Sequence, residues 1–103
     1  MSEETYKEIG VDLEEISRFR DKPYSENSAF YDKLFTISEQ DYCTSKKNPY
    51  PHFAARFCAK EALAKVLPVG MRPEWAEVEI ISDKNGKPSF QFNIKDKKKQ
   101  SFI

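Results

Sequence analysis

One histidine, one tryptophan, two cysteines and three glycines in 103 residues remove several kinds of chemistry at the outset. The lone imidazole, His52, stands beside Pro49 and Pro51 and has no second histidine to form a ligand pair. Cys43 and Cys58 lack metal-site spacing, and Cys58 falls in an apolar stretch where a cysteine acts as a small buried hydrophobe. No apolar run approaches the roughly 20 residues needed to span a bilayer, and neither end reads as a signal peptide, so a soluble, cytoplasmic protein is expected. Net charge is also missing. Seventeen basic side chains balance seventeen acidic ones, so no overall field favours nucleic acid or an anionic membrane. The chain shows no repeat and no internal boundary, and residues 1–103 read as one domain.

What the chain does have is a fifteen-residue run, Phe53-Ala-Ala-Arg56-Phe-Cys-Ala-Lys60-Glu61-Ala-Leu-Ala-Lys65-Val-Leu67, free of glycine and proline. Its composition predicts a helix. At 100° per residue Phe53, Phe57 and Ala64 share a face, Leu63 and Leu67 lie to one side, and Ala55, Ala59, Ala62 and Val66 cover the back. A helix apolar nearly all round belongs in an interior, yet it carries Arg56, Lys60, Glu61 and Lys65, and buried charges need partners or a ligand. Two readings are open. Glu61 and Lys65 can form an ordinary i,i+4 ion pair worth about 0.2–0.5 kcal/mol. Alternatively, the carboxylate holds a hard cation while the neighbouring amines and guanidinium meet phosphate oxygens.

Ahead of that helix, Ile9, Val11 and Leu13 alternate with Gly10 and Asp12, which predicts a short strand over about 7–13 with Asp12 opposite Val11. Asp12 at the strand end can mount chemistry, or can cap the next helix with Glu15 three residues on. Residues 14–20 follow as a short helix with Leu13, Ile16 and Phe19 inward and Arg18, Arg20 and Lys22 outward. A further short helix is expected over 29–35, and Thr36 with Glu39 forms a capping box for another that reaches Tyr42. Residues 45–51 read as a loop. Pro68 stops the central helix, and Gly70 and Pro73 extend the connection. Strands are predicted over 75–82, with Glu77 and Glu79 facing solvent, and 88–94, joined through Asn85-Gly86 as a hairpin.

Four motifs then form a pattern: Gly10-Val11-Asp12-Leu13-x-x-Ile16-x-Arg18-Phe19; Phe35-Thr36-x-x-Glu39-x-x-Tyr42-Cys43; Ala54-Ala55-Arg56-Phe57-x-Ala59-Lys60-Glu61-Ala62-x-x-Lys65; and Gly86-Lys87-Pro88. In this order they resemble the holo-acyl-carrier-protein synthase family of phosphopantetheinyl transferases, over residues 9 to about 92. The resemblance implies transfer of the phosphopantetheine arm from coenzyme A to a serine of an acyl carrier protein, with Mg²⁺ and release of adenosine bisphosphate. It further implies that Asp12 and Glu61 hold the Mg²⁺, that Lys65 meets the phosphate under attack, and that Arg56 meets the nucleotide's phosphates. Lys60 joins Arg56 and Lys65 as an expected phosphate contact. Gly70 alone is comparable to the family's Gly-Thr-Gly-like turn beside the nucleotide, and Arg18, Arg20 and Lys22 match the helix that docks the acidic carrier.

The fold expected is α+β, a small, mostly antiparallel sheet from about 7–13, 75–82 and 88–94 packed on the long central helix. The family's Ser-x-Ser-His segment and closing strand have no counterpart before Ile103, so the expected assembly is a trimer, as the resemblance implies, with a neighbouring subunit completing the sheet. A second function class is a carrier-protein-binding or assembly module without catalysis.

Overall fold

The computed structural model describes residues 13–82, 85 and 87–94. Among these residues four helices, α1 (Leu13–Arg20), α2 (Ser28–Leu34), α3 (Ile37–Thr44) and α4 (Tyr50–Val66), precede a hairpin of β1 (Val78–Ser82) and β2 (Pro88–Phe92), with 3₁₀ turns at Tyr24–Glu26, Val69–Met71 and Trp75–Glu77. The architecture is α+β, as expected. The strands pair antiparallel in the register Val78↔Phe92 and Ile80↔Phe90. The strand expected over 7–13 lies outside the described residues except for Leu13, which opens α1 instead of closing a strand.

Aromatic packing makes the core. Phe19 on α1 has ring neighbours at 5.8–6.4 Å in Phe57, Phe30, Phe35, Tyr31 and Phe53, so α2, the residue that caps it and α4 converge on one side chain of α1. Such pairs add about 0.5–1.5 kcal/mol each beyond their buried area. The Tyr31 hydroxyl donates to the carbonyls of Lys22 at 2.7 Å and Phe19 at 3.1 Å, so a buried polar atom is satisfied while it closes the end of α1. At α3 the capping box forms as read: Glu39 N–H donates to Thr36 Oγ1, and Thr36 N–H donates to the Glu39 carboxylate.

Several expectations change. α4 begins at Tyr50, taking Pro51 into its first turn, where a missing N–H leaves no bond unmade. Only its N-terminal half is interior: Phe53, Ala54, Phe57 and Lys60 are buried, whereas Ala62 and Lys65 are exposed and Val66 is 76% exposed. The helix therefore runs out past its packing partners, which an all-round apolar sequence does not signal. Leu13 is 61% exposed, because as the first residue of α1 it precedes the turn that packs. β1 starts at Val78, since Trp75–Glu77 is taken up by a turn in which Glu74 N–H donates to Glu77 Oε1 at 2.7 Å. Glu79 does not simply face solvent, as the Thr36 hydroxyl donates to its carboxylate at 2.6 Å.

His52 is buried against the edge of Tyr42 and near Lys46 and Arg56. Burial, and then the two cations, push its pKa down from 6.5 to about 4. A depressed folded value means that the neutral ring stabilises the fold fully above the unfolded pKa, and that this contribution is lost as pH falls from 6.5 towards about 4. Unfolding midpoints measured near pH 7.5 and near pH 4.5 should therefore fall less for His52→Gln than for the wild type, about neutral to mildly acidic conditions spanning the shift. Equal falls in the two proteins would show that His52 does not titrate with folding.

Candidate functional site

Two faces of α4 separate the charged residues of the central run. Lys60 points inward and is 2% exposed. Its ammonium donates to Glu39 Oε1 at 2.6 Å, the Leu34 carbonyl at 2.8 Å and the Trp75 carbonyl at 2.9 Å. An ammonium has three N–H donors, so none remains for a phosphate. The expectation that Lys60 contacts coenzyme A is thereby corrected. Burial pulls its pKa below the usual lysine value, and the Glu39 hydrogen bond pulls it back up.

Glu61, the next residue, lies on the outward flank where α1 crosses α4, and is half-buried. Among the described residues it forms no ion pair with Lys65, so the i,i+4 alternative is not what the structure shows. Its carboxylate instead approaches Glu15 on α1 and Cys58 one turn back on α4, with one ligand atom from each lying within 4.8 Å of the others. Glu15 also accepts two hydrogen bonds from Arg18 Nη1, at 2.8 and 3.1 Å. Two carboxylate oxygens at this separation repel each other and suit a hard dication such as Mg²⁺, which takes oxygen donors and keeps several waters. Asp12, the other expected metal ligand and catalytic residue, lies outside the described residues. Lys65 is exposed one turn beyond Glu61.

Arg56 is 7% exposed, and its guanidinium carbon sits 4.1 Å from the centroid of the Tyr42 ring. Lys46 Nζ approaches the same ring at 4.7 Å. The Arg56 Nε is buried without a hydrogen-bond partner, although such groups are nearly always paired. Other atoms of Arg56 border a cleft of about 200 Å³ that Ser38, Tyr42, Glu79 and Ile81 also line. A guanidinium held by stacking with donors unspent is suited to an anionic ligand. Cys43 is buried nearby, with its thiol pushed up to about 12 by burial, so it contributes no nucleophile. At Gly70 an added Cβ would meet nothing within 4 Å, so this chain alone gives no steric reason for glycine there.

Arg18, Arg20 and Lys22 are all exposed on or just after α1. Arg18 and Lys22 border a groove of about 440 Å³ floored by Phe19, Phe30, Leu34 and Phe57, while Arg20 is not among its lining residues. Sequence reasoning missed the contacts of three participants: Glu15, taken as a possible capping residue; Glu39, taken as a cap and a motif residue; and Tyr42, taken as a motif residue at the end of a short helix. The Asp12-x-x-Glu15 spacing was the available signal for the first. Nothing local signals the pairing of Glu39 with Lys60.

A family model described as the 4′-phosphopantetheinyl transferase superfamily matches residues 8–103. A holo-[acyl-carrier-protein] synthase of Geobacter sp. (strain M21) is 43% identical over 84 residues, covering 80% of this chain and 67% of that protein. The protein of that name from Chlamydia caviae is 48% identical over 75 residues, 71% of this chain and 62% of its own length. The one from Geotalea daltonii is 43% identical over 81 residues, 77% and 65% respectively. The chain thus spans about two thirds of the length of these relatives. No solved structure matches it significantly.

The orphaned Arg56 Nε has a consequence for stability. An unsatisfied buried donor costs about 1–3 kcal/mol, and the stacking on Tyr42 returns roughly 0.5–2 kcal/mol. Arg56→Met keeps much of the apolar stem and removes both, so urea unfolding should find the variant as stable as the wild type or up to about 1 kcal/mol more stable. A clear loss of stability would mean that the guanidinium is satisfied within the chain.

Proposed function

The chain belongs to the 4′-phosphopantetheinyl transferase superfamily, alongside holo-[acyl-carrier-protein] synthases, and on that premise we propose that it transfers 4′-phosphopantetheine from coenzyme A to a serine of an apo acyl carrier protein. The observation that carries this reading is Glu61: an outward carboxylate without an ion-pair partner among the described residues, facing Glu15 across the α1–α4 contact. Asp12 and Glu61 hold Mg²⁺, which when bound supplies neutralisation of the pyrophosphate charge. Lys65 meets the phosphate oxygens from the next turn, and Arg56 meets the nucleotide's phosphates through the terminal nitrogens of its guanidinium. Gly70, in the Val69–Met71 turn, is assigned to the nucleotide in this reading by its likeness to the family's glycine turn. In the transfer the serine oxygen bonds to the phosphorus bearing pantetheine as the phosphoanhydride bond breaks. Adenosine bisphosphate leaves with the bonding pair, and the serine proton passes to solvent.

The carrier docks on α1, where Arg18, Arg20 and Lys22 steer an acidic surface towards the groove. The protein acts in the cytoplasm as a trimer whose neighbouring subunits close the nucleotide pocket. Exposed Leu13, Val66, Ile81 and Phe90 supply apolar surface for that association. No helix among the described residues is long and apolar enough to cross a membrane.

Intact-mass measurement of an apo carrier protein incubated with the protein, coenzyme A and Mg²⁺ tests the reading directly. A mass gain of one phosphopantetheine is expected. Glu61→Gln should abolish the gain while leaving the fold intact, because the change is nearly isosteric but removes the charge a hard dication needs. Wild-type turnover by that variant at limiting Mg²⁺ would remove Glu61 from the site. Carrier association without any mass gain by the wild type would instead identify a non-catalytic binding module.

Arg18→Glu should weaken carrier association, most strongly at low ionic strength where exposed charges act over the longest range, and should leave coenzyme A binding unchanged. Equal carrier association rates for variant and wild type at low salt would take α1 out of the docking surface.

A further inference from the structure

Lys60 shares no chemistry with phosphate, yet it is anchored more completely than any other cation among the described residues. Its ammonium reaches three separate segments: the end of α2 through the Leu34 carbonyl, α3 through Glu39, and the turn before β1 through the Trp75 carbonyl. Glu39 extends the anchorage. Its Oε1 also accepts the Thr36 N–H at 2.9 Å, and its Oε2 accepts the Ile80 N–H of β1 at 2.9 Å. Both side chains of the pair are essentially inaccessible, at 1% and 0% exposure.

Three acceptors from three directions fix α4 about its own axis as well as along it. Apolar contacts alone do this poorly, because residues on every side of this helix are apolar and a rotation exchanges one for another. A directional, charge-assisted contact does not tolerate such a rotation. Glu61 follows Lys60 by a single residue, about 100° around the helix, and Lys65 lies five residues on. Whatever sets the phase at residue 60 sets the direction of both.

We propose that Lys60 is a positioning residue for the transfer reaction: its buried bond to Glu39 fixes the rotation of α4 that holds Glu61 and Lys65 in their working directions. The inference rests on the transferase reading above. Pairing with an acid on another helix, not substrate contact, is the role of the lysine that precedes the metal-binding glutamate. A shift of about 1 Å in a catalytic group can cost on the order of 100-fold in rate, so modest loosening of α4 is enough to be measured.

The double variant Lys60→Met with Glu39→Gln removes both charges, keeps approximate volumes, and leaves an amide oxygen that can still accept the Thr36 N–H of the cap, while the Ile80 N–H loses its acceptor. Three quantities are measured on the full chain: the thermal midpoint, the steady-state constants for coenzyme A and carrier, and the affinity of the free protein for Mn²⁺ by electron paramagnetic resonance. A folded double variant is expected to lose about 10- to 100-fold in kcat and to bind Mn²⁺ several-fold more weakly, with the KM for carrier unchanged because α1 keeps its docking face. Wild-type kcat and Mn²⁺ affinity in the folded double variant would overturn the inference and leave the pair a purely structural one. If the double variant does not fold, Lys60→Met alone is read in the same way, since it removes the bond to α4 while Glu39 still accepts the Thr36 and Ile80 N–H groups. Lower kcat with weaker Mn²⁺ binding at an intact fold supports the inference, and wild-type values reject it. Failure of the transferase reading appears elsewhere, as absence of carrier mass gain with the wild type.

Discussion

One ion pair, 2.6 Å long and closed to solvent, ties α4 to α3, and its carboxylate also accepts the Ile80 N–H of the hairpin. Taking an ammonium and a carboxylate out of water is costly, and their attraction offsets that cost only when the remaining donors and acceptors are also satisfied. Here they are. Lys60 has its three acceptors, and Glu39 accepts from Thr36, Lys60 and Ile80. Removing either partner leaves an uncompensated charge in an aromatic interior, which is why α2, α3, α4 and β1 depend on the same contact. The Lys60 ammonium also lies 5.1 Å from the Phe35 ring centroid, so the aromatic cluster and the polar clip touch.

That clip divides the central helix into two working halves. Phe53, Ala54 and Phe57 fill the interior around Phe19, whereas Glu61, Lys65 and Val66 emerge beyond it. Structure and chemistry are therefore assigned to successive turns of one element, with Lys60 at the border. Arg56 departs from this division. It is buried like a core residue but keeps an unpaired donor in its Nε.

Much of this was legible in the sequence. The Thr36–Glu39 capping box, the inward Ile16 and Phe19 of α1, and the Asn85-centred hairpin are local signals, and local signals survive folding. The motif order also pointed to the family that the chain proved to match. The assignment of Lys60 to phosphate failed for a physical reason: a helix with apolar residues on every side has no readable inward direction, so its cations cannot be sorted into buried and exposed by periodicity. The partner that decides the matter, Glu39, is 21 residues away and already had a sufficient local explanation as a cap. Leu13 failed at a boundary, where a strand pattern and a helix start overlap. Glu15 was hidden by a capping role that fits its spacing equally well.

If the buried pair holds the hairpin to the helices as one cooperative unit, the amide of Ile80, which donates to Glu39 and not to a neighbouring strand, reports on it directly. Native-state hydrogen exchange at that amide, compared with amides in the middle of α4, is the measurement. The account predicts that Ile80 exchanges only through the same global opening as the α4 core, with matching protection and matching dependence on denaturant. Exchange of Ile80 through a much easier local opening, while α4 stays protected, would show that the hairpin is merely laid against the helices and that the Lys60–Glu39 bond does not organise the fold.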